Sequence, residues 1–169
     1  MSILSAEQKA KDILERAWDG NFPVDPLLIA ERLSSMSEAG CIDMVGANNN
    51  ELNGASGMAE FVDASNKKHF KCSYNASEAM VRQRFTQAHE LGHVVLAHVD
   101  EKTPRMRDER FDNRNGIEID ANAFAAELLM PSRWLPALLK QAESFNELTR
   151  TLGVSAVALR YRLKNLGLL

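Results

Sequence analysis

At 169 residues the chain has the length of one domain, long enough to bury a proper hydrophobic core, and its 45% apolar and 25% charged residues are ordinary for a soluble globular protein. A formal charge of −3 and a pI near 5.8 argue against a chain whose main work is non-specific nucleic-acid binding, and leave room only for a local basic patch. Cys41 and Cys72 lie far apart and form no C-x-x-C, so they read as reduced, buried thiols of a reducing compartment. The opening residues carry no basic and apolar leader, and no apolar run approaches ~18 residues. The expectation is a cytoplasmic protein, neither secreted nor membrane-spanning.

Ser5-Ala6-Glu7-Gln8 has the pattern of a capping box, and Ala10, Ile13, Leu14 and Ala17 follow at helical spacing until Gly20. Asp25-Pro26 restarts a helix, with proline at the first-turn position it tolerates and Leu27, Leu28, Ile29 and Leu33 on its apolar side. Between residues 40 and 75 the texture changes. Asn48-Asn49-Asn50, Asn53-Gly54 and Ser65-Asn66 are turn chemistry, and they separate β-forming runs at 42–45, 58–62 and 69–74. This predicts a small antiparallel sheet of about three strands.

Asn75-Ala76-Ser77-Glu78 is a second capping-box pattern, opening a long helix through Val81, Phe85, Ala88, Leu91, Val94, Val95 and His98. That helix carries His89-Glu90-Leu91-Gly92-His93, the H-E-x-x-H of zinc hydrolases. Residues i and i+4 share a helical face, so both imidazoles can reach one metal with the carboxylate held beside it. Glu90 would take a proton from a water that zinc has made acidic. Gly92 costs about 1 kcal/mol relative to alanine within a helix, which suits either a packing glycine or the close approach of another backbone. Residues 99–116 form a polar, charge-dense connection, read as a mobile loop and a candidate lid. Helix returns over 116–130, stops at Pro131, and continues as short helices near 132–142, 144–152 and 155–166. Ser144-Phe145-Asn146-Glu147 is a further capping box and Ser155 a plausible N-cap.

A catalytic zinc site needs a third protein ligand. His98 stands five residues after His93 with no glycine between, unlike the metzincin spacing, and a helix would turn it roughly 140° away. It reads as packing or capping. Glu118 is the better candidate, because Glu118, Ala121, Asn122, Ala125 and Leu129 share one helical face. Alanines at 121 and 125 permit close packing, and the Asn122 carbonyl could accept a hydrogen bond from the non-ligating nitrogen of a histidine. Asp120 is the competing ligand, two residues off this face; a third possibility is that Glu118 is only a first-turn acid favoured by the helix dipole.

The run Arg82-Gln83-Arg84-Phe85-Thr86-Gln87-Ala88-His89-Glu90-Leu91-Gly92-His93, followed by Glu118-x-x-Ala121-Asn122-x-Phe124-Ala125-Ala126-x-Leu128-Leu129-Met130-Pro131, resembles the ImmA/IrrE family of metallo-endopeptidases. Val24-Asp25-Pro26 before Ile29-Ala30 is similar, as are Leu152-Gly153-Val154-Ser155, Arg162-Leu163 and Leu166-Gly167-Leu168 near the end. The resemblance spans roughly residues 8–168. It implies a zincin-like α+β domain over 1–169, with Zn²⁺ held by His89, His93 and Glu118 and with Glu90 as general base. It also implies a protein substrate, a helix-turn-helix repressor of the Xre or phage type, whose cleavage relieves transcriptional repression. Larger members add sensing or DNA-binding domains, for which a chain of this length has no room.

The expected cleft lies between the sheet and the helix of His89, where an edge strand could hold an extended peptide. Tyr74, His69 and Tyr161 are the available donors for the oxyanion of peptide hydrolysis, and the sequence does not choose among them. Arg82 and Arg84 read as anchors, and Trp18 and Trp134 as packing residues. Cys72 could poise the metal only if it faced the cleft. Residues 148–167 also have the spacing of a helix-turn-helix, with Arg160, Arg162 and Lys164 on its second helix. A DNA-binding regulator could be written this way, but the acidic balance and the apolar ending favour a docked tail. The remaining alternative is a non-catalytic anti-repressor or toxin–antitoxin partner, which would have no need of Glu90.

Overall fold

The computed structural model describes residues 3–36, 40–63, 68–108 and 116–169. The fold is α+β: seven helices and a four-stranded sheet among the described residues. Helix α1 (Ile3–Ala17) buries Ala6, Ala10, Ile13, Leu14 and Ala17 along one stripe. Because it already runs from Ile3, Ser5 lies inside it rather than at its cap. In α2 (Pro26–Ser35) the Asp25 side chain accepts from Leu27 N and Pro26 takes the first turn, as its sequence predicts.

Strands β1 (Cys41–Ala47), β2 (Gly57–Asp63), β3 (His69–Asn75) and β4 (Arg105–Asp108) lie in the order β1-β3-β2-β4. Strands β2 and β3 pair antiparallel, as do β2 and β4, but β1 runs parallel to β3. The sheet is therefore mixed and one strand larger than the antiparallel one expected. The physical reason is the turn over residues 48–56, which steps across the end of β3 instead of folding back beside β1. Ala76 N donates to Ala47 O and Asn75 N to Ser56 O, and Leu52, Ala55 and Met58 close a small second core under the turn. The Ser65-Asn66 turn lies outside the described residues.

Strand β4 comes from the segment expected to be a loop. Asp100 accepts from Lys102 N and Thr103 N at 2.8 and 2.7 Å, which tightens the chain into a turn. Pro104 O then accepts from Phe61 N, and Arg105 reaches Glu60 at 2.7 Å. What remains of the candidate lid, residues 109–115, lies outside the described residues.

Helix α3 (Met80–Val95) starts five residues after the apparent capping box begins. Asn75 Oδ1 accepts from Ser77 N and its carbonyl from Glu78 N, so the box makes a turn, and Ala79 is the N-cap without a side-chain bond. At its other end Ala97 has φ 57, a left-handed conformation that closes the helix and turns His98 off its axis. His98 thus does not stand on the helix where its spacing suggested. Helix α4 (Gly116–Leu129) packs across α3 and against α1, and α5 (Leu135–Gln141), α6 (Phe145–Leu152) and α7 (Ala156–Asn165) complete the body. Ser144 and Ser155 cap α6 and α7 by accepting from Glu147 N and Ala158 N, each at 3.1 Å. Trp18 packs on Phe22 and on the half-exposed Trp134. No helix among the described residues is long and apolar enough to cross a membrane.

The tail is docked through Arg162. Its guanidinium is buried, donates to Glu7 Oε1 at 2.6 Å and to Met130 O at 3.3 Å, and pairs with Glu127, which in turn accepts from Ser132 N and Oγ. Arg160 instead lies over the Phe145 ring, 5.5 Å from its centroid. A cation committed to buried carboxylates is not available to phosphates, so α7 lacks one of the three cations a DNA-reading helix would have used. Breaking such a network strands a buried charge. Arg162→Ala should cost about 3–5 kcal/mol in urea unfolding, while Arg160→Ala should cost about 0.5–1 kcal/mol. Equal small losses would show that the ion network does not hold the tail.

Candidate metal centre

The site begins with the period of α3. His89 and His93, one turn apart, turn their imidazoles to the same side, and both are buried, as is Glu90 between them. Opposite them α4 comes unusually close. A Cβ on Gly92 would meet the Phe124 ring at 3.0 Å and Ala121 Cα at 3.5 Å, so the glycine suits the approach of the second helix, and a methyl group there would push the ring back by a few tenths of an ångström. That approach delivers Glu118, in the first turn of α4 and buried, to the two imidazoles.

Three side chains converge there. His89 Nε2 and His93 Nε2 are 3.0 Å apart, Glu118 Oε2 is 3.2 Å from His89 Nε2, and Glu118 Oε1 is 3.5 Å from His93 Nε2. Two donors each about 2.0–2.1 Å from a tetrahedral zinc are about 3.3–3.4 Å from one another. The observed triangle fits that separation. Glu118 Oε2 is buried without a hydrogen bond.

The far side of each ring is also occupied. Asn122 Oδ1 lies 3.0 Å from His89 Nδ1, and because that oxygen can only accept, Nδ1 carries the proton and Nε2 turns its lone pair into the site. His98 Nδ1 lies 3.0 Å from His93 Nδ1. Burial, and then the neighbouring His93, push His98 down to about 4, so near neutral pH it is an uncharged ring able to accept from His93 Nδ1–H. Burial likewise lowers His93, against the pull of the neighbouring Glu118 carboxylate. For Glu118 burial opposes ionisation, but the His89 and His93 rings beside it outweigh that and hold the carboxyl well below its usual range. Neutral imidazoles and an ionised carboxylate are the protonation states a metal requires of its ligands.

Residues 73–164 match the peptidase family M78 model described as the IrrE N-terminal-like domain. The chain belongs to this family. It is 34% identical over 112 residues, 63% of this chain and 40% of the other, to the radiation response metalloprotease IrrE of Deinococcus deserti. It is 35% identical over 69 residues, 41% of this chain and 42% of the other, to the uncharacterized immunity region protein 2 of Bacillus phage phi105. The matches therefore span less than half the length of either relative.

Around these donors, Gly57 of β2 forms a wall. A Cβ there would come within 2.3 Å of Glu90 Oε1 and 2.5 Å of Thr86 Cγ2, so strand and helix touch over the Glu90 carboxylate. No signal in the sequence marked Gly57, since a glycine opening a strand is ordinary. Asp120 is buried on α4 but contributes no atom to the converging group. Cys72 is wholly enclosed in the core, and burial, then Glu90 and Asp43, push its thiol well up, so it stays protonated.

Of the three oxyanion candidates, Tyr74 pairs with Gly57 and so shares the helix-facing side of the sheet. His69 lies on the opposite face with Asp43, 2.8 Å away, and Tyr161 is exposed on α7. Arg82 and Arg84 serve as anchors. Arg82 donates to Ser56 Oγ and faces Glu78, while Arg84 donates to the carbonyls of Gly153 and Val24.

Metal analysis after dialysis should show little zinc in His89→Ala and Glu118→Ala and a full complement in Asp120→Ala. The reverse pattern for the two acids would move the ligand to Asp120. His98→Ala should bind zinc about 10–100-fold more weakly with its secondary structure intact, as loss of a ligand's orienting partner typically does.

Proposed function

We propose that the chain is a zinc-dependent, site-specific endopeptidase that cuts a helix-turn-helix repressor in the cytoplasm and so relieves repression, with residues 1–169 acting as one domain. The observation that carries this reading is the convergence of His89 Nε2, His93 Nε2 and a Glu118 carboxylate oxygen beside the buried Glu90. The naming of one relative as a metalloprotease supports peptide hydrolysis, and that of the other as a phage immunity-region protein supports a repressor as substrate.

The geometry supports the following roles. His89, His93 and Glu118 would hold the metal, while Asn122 and His98 fix the orientation of the two rings. When bound, zinc polarises the scissile carbonyl and makes water acidic. Glu90 takes the proton of the attacking water and delivers it to the leaving amine. Gly57 and Thr86 limit where its carboxylate can sit, and that confinement keeps the base aimed. Strand β4 is the sheet edge on the Gly57 side, and its outer edge offers backbone groups to an extended substrate.

Co-expression with repressors encoded by neighbouring genes tests the reading. The wild type should generate a defined fragment of one of them, and Glu90→Gln should slow its appearance about 10²–10⁴-fold while retaining metal. A repressor inactivated equally by both proteins without being cut would make the chain a binding anti-repressor. Gly57→Ala should behave like a milder Glu90 variant, with normal zinc content and reduced cleavage; unchanged cleavage would release Gly57 from this role.

A further inference from the structure

Outside the Glu90 cleft, a second set of metal-binding side chains meets on the opposite face of the sheet. Cys41, Asp43 and His69 each offer one donor atom, and the three atoms lie within 4.8 Å of one another. His69 Nε2 is 2.8 Å from Asp43 Oδ2, and Cys41 Sγ is 4.0 Å from Asp43 Oδ1. We propose that these three residues form a second transition-metal site, specific for a borderline ion such as Zn²⁺ and independent of the H-E-x-x-H centre.

The backbone builds this cluster. Cys41 and His69 are direct partners in the parallel β1–β3 ladder, and Asp43 stands two residues beyond Cys41, so all three project from one face. The start of the ladder is fixed by Cys41 N donating to Lys68 O at 2.8 Å. Gly40 keeps that approach open, since at φ +91 a Cβ would meet Lys68 O at 2.5 Å. The neighbouring side chains Ile42, Phe70 and Cys72 point the other way, into the core. The cluster is reachable from solvent: Cys41 and His69 are partly exposed and Asp43 is exposed.

The donor set selects the ion. A thiolate, an imidazole and a carboxylate are poor company for Mg²⁺ or Ca²⁺, which take oxygen ligands, and suit zinc or a similar transition metal. Zinc lies about 2.3 Å from sulfur and about 2.0–2.1 Å from nitrogen or oxygen, which makes tetrahedral donor separations about 3.3–3.6 Å. The His69–Asp43 and Cys41–Asp43 separations bracket that range and the third lies within 4.8 Å, so adjustment of these solvent-accessible side chains closes the set, with water completing the shell. Lys71, the register partner of Asp43, is a cation paired across from the cluster; it is exposed and can extend into solvent. Binding would displace the Cys41 proton and tie the first residues of β1 to those of β3.

Cobalt distinguishes this site from the other, because His89, His93 and Glu118 include no sulfur. Titrated with Co²⁺, the wild type should take up two equivalents per chain and develop a near-ultraviolet sulfur-to-cobalt charge-transfer band. Cys41→Ser should abolish the band and bind one equivalent, and His69→Ala and Asp43→Asn should weaken it about tenfold or more. His89→Ala should keep the band and lose only the other equivalent. Uptake of a single equivalent without a sulfur band overturns the proposal. So does a band that survives Cys41→Ser, which would come from Cys72, or one indifferent to both His69→Ala and Asp43→Asn, which would be a lone thiol.

Discussion

Everything at the centre depends on how closely α4 lies on α3. The contact is made of small residues and one ring: Gly92 on the first helix, Ala121 and Ala125 on the second, and Phe124 sealing the side. A glycine inside a helix costs about 1 kcal/mol relative to alanine, but here its missing methyl group helps the helices meet. Once they do, the period of α4 does the rest. Glu118 and Asn122 are one turn apart, as are His89 and His93, so the acid reaches both inner nitrogens while the amide takes the outer nitrogen of one ring. The same packing places four polar side chains and buries three of them, His89, His93 and Glu118, while Asn122 stays partly exposed.

How much of this the amino-acid order reveals depends on range. The H-E-x-x-H, the shared face of Glu118 and Asn122, and the caps at Asp25, Ser144 and Ser155 are local, so a helical period is enough to read them. His98 was not legible in the same way. Counting along a continuous helix turns it away from His93, whereas the left-handed Ala97 ends the helix and swings the ring back to within 3.0 Å. A non-glycine residue at positive φ leaves little trace in sequence.

The sheet shows the same limit at longer range. Turn residues at 48–54 announce that the chain reverses, but not whether it returns one strand spacing away or two. The second outcome makes β1 parallel to β3 and opens the place beside β1 that α2 occupies, where Ser34 Oγ accepts from Ile42 N. Strand β4 carries only Met106 as an apolar residue and pairs because Asp100 and Pro104 steer it onto β2, a steering that hydrophobic patterning does not record. Gly57 is the clearest case: its importance lies in touching Glu90, thirty-three positions on in sequence, and nothing near it in the chain says so.

Charge offers a further argument about what the centre can hold. Glu90 and Glu118 are both buried, and the imidazoles beside them are held towards neutrality, His93 by burial and His98 more strongly. Two carboxylates taken out of water cost several kcal/mol each unless a cation answers them. Among the described residues, the buried cation elsewhere in the body, Arg162, is already committed to Glu7 and Glu127. The donor set therefore matches a divalent ion in charge as well as in spacing, and its affinity is linked to folding: binding relieves the repulsion that α3–α4 packing imposes. On this view the small residues between the helices and the acids they bring together are one design. The close approach that stabilises the core also concentrates negative charge where a metal can neutralise it.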